Sequence, residues 1–417
     1  MNIIMKKPVF LFLYFLLIVS LGFGQTLKVK EGWSAILKTE ASGNGEEITR
    51  IPSGTEVAQL GQSNRYYSIS YNGQSGWAYK GGFNVLSDDA QPNVIRTKES
   101  LLARTDLLHI ILVDVEKGDA TLIICPEADD GQRDLVLIDA AMKNDADRIK
   151  GLITSNGFDH SAKPITRLII THQDLDHMAS IELMAPLVSK IYDNGPLHQH
   201  DFYQKEADKA AYNRETMKLS YVEQLSGGVS LECVAVNNAT DNEPNRSIAM
   251  SKKDKNDNSI ALILSYFEFD YFTGGDLTFE PEESLARGNL KNCDVYHVNH
   301  HGSSKTSSGL EFVKKLDPEV SVVSNGTQFG HPTSIVANRL INEVGSVFFQ
   351  TNVTDHPDAH QPDPKYVADD TLHQKAKDEN NEGATGNIHI VVDPELGKYY
   401  VIMPGLDLAD GTFDIEQ

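Results

Sequence analysis

The chain has 417 residues, 40% hydrophobic and 23% charged, with 59 acidic against 37 basic side chains and a formal charge of −22. This length and composition are ordinary for a folded globular protein of two or three domains with ample surface to bury a core. The acidic balance argues against a protein that grips long nucleic acid through a basic stripe, and the excess reads mainly as a solvated, solubilising surface.

In chain order, Lys6 and Lys7 form a positive segment, Val9 to Phe23 is nearly unbroken apolar, and Gly22 and Gly24 precede Gln25. That is the pattern of a secretory signal peptide over residues 1–24. The apolar run is shorter than the roughly 20 residues a helix needs to cross a bilayer, although an uncleaved anchor is the alternative. No second long apolar stretch follows. The expectation is a secreted or periplasmic protein cleaved near Gln25, without a transmembrane segment in the mature chain. Cys125, Cys233 and Cys293 are the only cysteines, and none lies in a Cys-x-x-Cys pair. A zinc ribbon or thioredoxin-like site is thereby excluded. An exported chain could form one disulfide, but buried free thiols are the expected state.

Residues 25–86 are short alternating segments broken by turns. Ile36-Leu37, Ile48 to Ile51, Val57 to Leu60, Tyr66 to Tyr71 and Gly76 to Tyr79 read as strands. Pro52-Ser53-Gly54 marks a turn, and Asn72-Gly73 is a favoured two-residue hairpin turn. Five short strands in so few residues predict a small all-β barrel. The "Pro-x-Gly-Thr", "Tyr-Tyr-x-Ile-x-Tyr-Asn-Gly" and "Gly-Trp-Ala" sequences resemble a bacterial SH3-like domain. The resemblance implies a cell-wall or peptide ligand. Trp33, Tyr66, Tyr67, Tyr71, Trp77 and Tyr79 could line its groove, with at least half of them expected in the barrel core.

Residues 87–106 read as a linker. Beyond them strands alternate with helical stretches, the rhythm of an α/β unit over residues 107–405, with a tail at 406–417. Strands are predicted at His109 to Val115, Ala120 to Cys125, Leu135 to Asp139 and Arg167 to Thr171. A helix is predicted at Asn144 to Ser155, with Asn144 as its cap. Asp201 to Leu225 reads as one or two polar helices, and Asn237 to Asn258 as a polar insertion. Strands return within Ser259 to Asp276, followed by a helix at Glu280 to Arg287. Further strands lie at Val295 to Asn299, at Val320 to Ser324, and twice between Asn387 and Met403. Asp355 to Gly386 is a long polar loop.

The stretch Thr171-His172-Gln173-Asp174-Leu175-Asp176-His177 carries the chemistry. A buried strand ends, and four metal-capable side chains follow. His172 and Asp174 project to one side of the turn, while Asp176 and His177, at the start of a helix, reach a second point nearby. Such spacing suits two ions that share one water. Asp276 ends an apolar strand, so its carboxylate can bridge two cations. His300 and His301 follow another strand and reach the same crevice. Neighbours on a strand face opposite ways, so both can approach only if the strand has ended, and Gly302 permits that turn.

These residues, in order, resemble the metallo-β-lactamase superfamily, whose signature is His-x-His-x-Asp-His after such a strand. Asp174 in place of the second histidine is similar to the ComEC competence-protein hydrolase domain. Leu112 to Ala120, Leu137-Ile138-Asp139-Ala140, Asn258 to Leu262, Thr273-Gly274-Gly275-Asp276, His297 to Ser304, Ser324-Asn325-Gly326 and Gly330-His331-Pro332 match further landmarks of that family. The resemblance implies an αββα sandwich with two divalent metal ions, zinc or manganese, held by His172, Asp174, Asp176, His177, Asp276 and His300 or His301. It implies that Asp139 supports the metal loop, and that the catalytic set is Asp176, His301, Asn325 and His331. His331 and Asn325 would contact phosphate oxygens or protonate the leaving oxygen.

Two departures qualify the resemblance. Most members carry one more histidine between the first loop and the bridging aspartate; here His198 and His200 are the candidates, and both read as surface-loop residues. The first metal would then lack one protein ligand. Asp174 adds an oxygen ligand that favours a harder ion such as manganese. The expected activity is hydrolysis of a phosphodiester, in nucleic acid or a cell-wall polymer, by a metal-activated hydroxide. The alternatives are a cell-wall phosphoesterase and an inactive envelope-binding protein on the same fold. The insertion with Arg246, Lys252, Lys253 and Lys255 is the one local basic segment near the crevice strands.

Overall fold

A computed structural model describes residues 26–415 except 31, 42–44, 63–65, 87–95, 116, 129, 196–204, 206–212, 247–254, 328–329, 355 and 370–385. The expected signal peptide, the first part of the expected linker, His198, His200, Lys252 and Lys253 therefore lie outside the described residues. The chain divides into two compact units at Val94 and Ile95.

The smaller unit is a seven-stranded antiparallel sheet. Its strands are β1 (Thr26–Val29), β2 (Ala35–Lys38), β3 (Glu47–Ile51), β4 (Glu56–Gln62), β5 (Tyr66–Tyr71), β6 (Gln74–Tyr79) and β7 (Phe83–Leu86), in the order β3-β2-β6-β5-β4-β1-β7. All five predicted strands are present, and β1 and β7 add a pair at one side. Alternating Leu27, Val29, Ala35 and Leu37 point inward with Ile51, Ile69, Ala78 and Phe83 to make one core, as period-two side-chain alternation requires. Asn72 and Gly73 both take positive φ, 50° and 77°, at the β5–β6 hairpin, the geometry that matches strand twist. Of the six aromatics, Tyr66 is buried; Trp33, Tyr67, Tyr71, Trp77 and Tyr79 are half-buried.

The larger unit is a four-layer αββα sandwich. Its first sheet contains β8 (Leu108–Leu112), β9 (Thr121–Ile124), β10 (Leu135–Ile138), β11 (Arg167–Ile170), β12 (Ile191–Asp193), β13 (Arg214–Thr216), β23 (Ile388–Asp393), β24 (Lys398–Ile402) and β25 (Thr412–Asp414). Their order is β13-β12-β11-β10-β9-β8-β23-β24-β25. The second sheet runs β14 (Val222–Gln224), β15 (Ser230–Val236), β17 (Ala261–Tyr266), β18 (Phe269–Thr273), β19 (Val295–His297), β20 (Val320–Val323), β21 (Val347–Asn352) and β22 (Val367–Asp369), with β16 (Ala239–Thr240) beside β15. Side-chain alternation along the strands explains the packing. Ile110, Ile123, Val136 and Ile169 of the first sheet meet Leu262, Tyr271, Val295 and Val322 of the second in one inner core. The opposite faces are covered by helices, with Ile149, Ile153, Met178 and Ile181 on the first sheet and Leu285, Phe312, Val313 and Val336 on the second. Strands buried on both faces read as continuous apolar runs, as the Leu108–Leu112 and Leu135–Ile138 sequences do.

Three expectations are corrected. Asp201 to Leu225 is not helical where it is described beyond Asn213: β13 and β14 are short strands at sheet edges. The second half of the expected linker belongs to the larger unit, because Thr97 caps a helix at Lys98–Leu102 and Leu101 packs with Leu107, Val391 and Tyr400. The expected tail contributes β25, paired with β24. The helix predicted at Asn144 runs Ala146–Ser155 after a short 3-10 turn, with Asp145 at its cap position. All three cysteines are buried free thiols.

Candidate metal centre

Strands β10 and β11 are parallel, as are β18, β19 and β20, and every group of the centre leaves a strand at its carboxyl end. The crevice outside those ends is where open α/β sheets place ligands. Asp139 follows β10, His172 follows β11, Asp276 follows β18, and His300 and His301 follow β19. Asp176 and His177 sit in the one-turn helix Leu175–Met178. Two glycines bring these segments together. Gly118 has φ 103°, and a Cβ there would overlap the Asp176 carbonyl; Gly275 has φ 53°, and a Cβ there would overlap the Thr171 side chain. Only glycine tolerates both the backbone conformation and the approach.

Asp276 is the hub. Its Oδ1 lies 3.2 Å from His177 Nε2 and 3.6 Å from His301 Nε2. Its Oδ2 lies 3.7 Å from His172 Nε2 and 3.5 Å from His300 Nε2. Asp174 Oδ2 approaches His172 Nε2 at 3.9 Å. Asp176, His177 and His301 form one potential ligand group, and His172, His177 and Asp276 another.

Each imidazole is held by its other nitrogen. His177 Nδ1 donates to Asp139 Oδ2 at 2.7 Å, and Asp139 in turn accepts from the Thr171 amide at 2.8 Å and the Thr171 hydroxyl at 2.7 Å. His301 Nδ1 donates to the Ser324 carbonyl at 2.9 Å. His300 Nδ1 meets the Thr306 hydroxyl at 2.9 Å, and His172 Nδ1 meets the Thr171 hydroxyl at 3.2 Å. A carbonyl or carboxylate can only accept, so His177 and His301 each carry a proton on Nδ1, which leaves Nε2 as the nitrogen that a metal ion would take. Partners of this kind orient metal-ligating histidines.

The Nε2 atoms of His172, His177 and His301 and the Oδ1 of Asp276 are buried without a hydrogen-bond partner. An unmet buried polar atom costs about 1–3 kcal/mol, so four such atoms converging on one point fit divalent cations. Burial would depress His177, but the Asp276 and Asp139 carboxylates hold it well above its ordinary value. Burial works against the Asp276 carboxylate too, and the facing histidines hold it well below the carboxylate range. His172 is pushed down by burial and by His177.

The turn at Asn299–Gly302 settles how two adjacent histidines reach one carboxylate. β19 ends at His297, and His300 and His301 both adopt left-handed backbone, φ 49° and 52°. Strand alternation therefore does not apply, and each ring faces a different Asp276 oxygen. The turn is anchored from below by Glu282, fully buried on the helix Phe279–Arg287. Its carboxylate accepts from Asn299 Nδ2 and the Ser308 amide at 2.8 Å and from the Gly309 amide at 2.9 Å. Neither Glu282 nor Thr306 stood out in the sequence; an acidic residue on the buried face of a helix was the available signal for Glu282.

The late motif divides. His331 flanks the centre, its ring 6.5 Å from that of His300, with Nδ1 buried and unpartnered. Burial, with His301 and His300 adding, holds it down at about 4. Asn325 is engaged with the neighbouring strand. Its amide donates to the Asn352 carbonyl at 2.7 Å and its oxygen accepts from the Asn352 amide at 3.1 Å, so both ends are engaged with strand β21. It shapes the loop rather than offering a free amide to a ligand.

Parts of the chain are similar to known proteins. Residues 33–83 match the bacterial SH3 domain family. ComE operon protein 3 of Bacillus subtilis (strain 168) is 24% identical over 257 residues, covering 56% of this chain and 30% of that protein. Competence protein ComA of Neisseria gonorrhoeae is 42% identical over 71 residues, covering 16% of this chain and 10% of that one. This chain thus spans less than a third of the length of either relative. Among solved structures, the metallo-β-lactamase fold protein YhfI from Bacillus subtilis is similar at 12% identity and TM-score 0.38, covering 58% of this chain and 96% of that one. Zn(2+)-bound PqqB from Methylobacterium extorquens is similar at 10% identity and TM-score 0.38, covering 58% and 97%. The chain thus joins a region that matches the bacterial SH3 domain family at residues 33–83 to an αββα unit, and it is similar to part of two competence proteins.

Proposed function

We propose that the larger unit is a two-metal phosphodiesterase, exported by its N-terminal segment, with the SH3 domain binding a cell-wall or peptide ligand. The observation that carries the reading is the division of four imidazole Nε2 atoms between the two oxygens of one buried carboxylate. One cation would be held by His172, Asp174, His300 and Asp276 Oδ2. The other would be held by Asp176, His177, His301 and Asp276 Oδ1. His300 thus supplies the ligand that the sequence left missing from the first site. Three carboxylates among the ligands suit manganese as well as zinc.

Bound divalent cations supply Lewis acidity and lower the pKa of water toward neutrality. The chain's own residues do the positioning. Asp139, Thr306 and Ser324 fix which nitrogen of each histidine faces inward. His331, on the open side, carries a neutral imidazole suited to a hydrogen bond with a phosphoryl or leaving oxygen. Competence-protein relatives and the oxygen-rich ligand set support a phosphoester over a lactam. No helix among the described residues is long and apolar enough to cross a membrane.

The test is a panel of bis-p-nitrophenyl phosphate, single-stranded DNA, a teichoic-acid-type polymer and a β-lactam, each with manganese and with zinc. Metal-dependent cleavage of the small diester is expected, with weaker and salt-sensitive cleavage of DNA because of the −22 charge. Turnover of the lactam alone would overturn the reading. Preference for the wall polymer would redirect it to a cell-wall phosphoesterase, and no bound metal at all would favour an inactive binding protein.

A further inference from the structure

Among the described residues of the basic segment near the crevice, Lys255 reaches the centre. Arg246 is committed elsewhere, to Glu243 at 2.7 Å and Glu280 at 2.5 Å. Lys255 instead places its Nζ 3.5 Å from Asp174 Oδ1, with its side chain 53% exposed. It is thereby paired with a carboxylate of the centre. The next residue, Asn256, is buried, and its Nδ2 lies 3.5 Å from Asp276 Oδ2 and 3.4 Å from His300 Nε2.

This pair is not on a loose loop. Asn256–Asn258 is a 3-10 turn in which the Asn258 amide donates to the Lys255 carbonyl at 3.1 Å. Asp257 accepts from the hydroxyl of Thr278, two residues after Asp276. The Ile260 amide then donates to the Thr171 carbonyl at 3.0 Å, next to His172. The turn is thereby tied to both ligand-bearing loops, and it delivers an ammonium and an amide donor to the rim on the side of Asp174 and His300.

We propose that Lys255, with Asn256 beside it, is the anion-recognition element of the centre, holding non-bridging phosphoryl oxygens and selecting an anionic phosphoester over an uncharged ester or amide. This rests on the phosphodiesterase reading. A cation held by Asp174 would take over that carboxylate's charge and leave the Lys255 ammonium for a substrate. The flexible four-carbon stem of lysine lets it follow the phosphoryl group as a point charge. In a chain of charge −22, a cation at the mouth also offsets the repulsion of an anionic substrate.

The experiment uses the full chain, loaded with manganese, and compares Lys255→Ala, Lys255→Arg and Lys255→Glu. Three quantities are read: affinity for inorganic phosphate by calorimetry, bound metal by elemental analysis, and KM and kcat on bis-p-nitrophenyl phosphate. Hydrogen bonds to charged groups contribute about 1.5–3 kcal/mol, or roughly 10- to 100-fold. Lys255→Ala should weaken phosphate binding and raise KM by about 10-fold or more, with kcat within about 3-fold and metal content unchanged. Lys255→Arg should recover most of the loss, and Lys255→Glu should exceed it. Unchanged phosphate affinity and KM would overturn the proposal, as would losses that follow lost metal, since Lys255 would then serve only Asp174. If the wild-type protein cleaves no phosphodiester but its phosphate affinity depends on Lys255, the activity reading fails while the anion site stands. Cleavage with a KM indifferent to Lys255 gives the reverse.

Discussion

The two turns that meet at Asp276 are built differently. The first, Thr171 to His177, gathers its ligands within one short stretch, and one carboxylate, Asp139, touches both its backbone and His177. The second, Asn299 to Gly302, is held by groups scattered along the chain: Glu282 through Asn299, Thr306 on His300, and Ser324 on His301. Both arrangements reach the same end, an imidazole whose Nδ1 is occupied and whose Nε2 faces the hub. One turn is specified by composition, the other by tertiary support.

Removing the hub should have the largest effect. Asp276→Ala takes a carboxylate from both half-sites, and elemental analysis should find both metals lost together with all activity. His198→Ala or His200→Ala should retain most of the activity; a loss equal to that of Asp276→Ala would mean that His300 does not fill the first site.

The next two variants separate the turns. Glu282→Ala leaves three donors unsatisfied in the interior, two of them backbone amides, and should cost on the order of 3–5 kcal/mol of stability in denaturant unfolding without metal. Asp139→Ala leaves the Thr171 amide, the Thr171 hydroxyl and His177 Nδ1 without their acceptor, so it should cost stability too and in addition weaken one bound metal equivalent by about 10- to 100-fold in a chelator titration. If both variants lost stability and metal in the same proportion, the contrast between the turns would be void.

A pH series sharpens the same point. Burial pushes Glu282 up to about 7 against the pull of its amide donors. An unfolded glutamate titrates near 4.3, so between roughly pH 4.3 and 7 the folded chain holds a proton that the unfolded chain has released. Glu282 should therefore make stability fall as pH rises through that window, by about 4 kcal/mol at most. Glu282→Gln should flatten that component of the metal-free unfolding curve, whatever its effect on absolute stability. An unchanged slope would show that the carboxylate is ionised throughout. The smallest effect belongs to Thr306→Val, which removes one hydrogen bond from His300 and should cost about 1 kcal/mol, read as several-fold weaker binding of one metal.

The contrast explains what could be read from the sequence. His172, Asp174, Asp176 and His177 lie within one short stretch and Asp276 ends an apolar strand, so pattern alone singled them out, whereas Asp139 was marked by the family resemblance. The layers were equally legible, because Leu108–Leu112, Leu135–Ile138 and Ala261–Tyr266 are apolar runs of strand length. The pairing of His300 and His301 with separate oxygens was hidden, since it depends on left-handed backbone at two non-glycine residues, a choice made by the contacts of Asn299 and Gly302. Asn325 shows what a motif leaves open, because a polar residue looks the same in sequence whether its amide faces a ligand or strand β21. β13 and β14 were missed because Arg-Glu-Thr and Val-Glu-Gln lie at sheet edges, where no apolar alternation is required.

The order of the first sheet has a consequence for how the chain is made. Its strand β8 pairs with β23, Leu112 opposite Ile388 and Leu108 opposite Val392, so a central seam joins segments nearly 300 residues apart in sequence. During vectorial synthesis the second sheet can be complete while the first still lacks β23, β24 and β25, leaving the β8 edge and its apolar neighbours uncovered until the last strands arrive. Such long-range pairing slows folding and exposes an aggregation-prone edge. A chain stopped before Ile388 would retain every ligand of the metal centre and still lack the strands that finish the sheet beneath it.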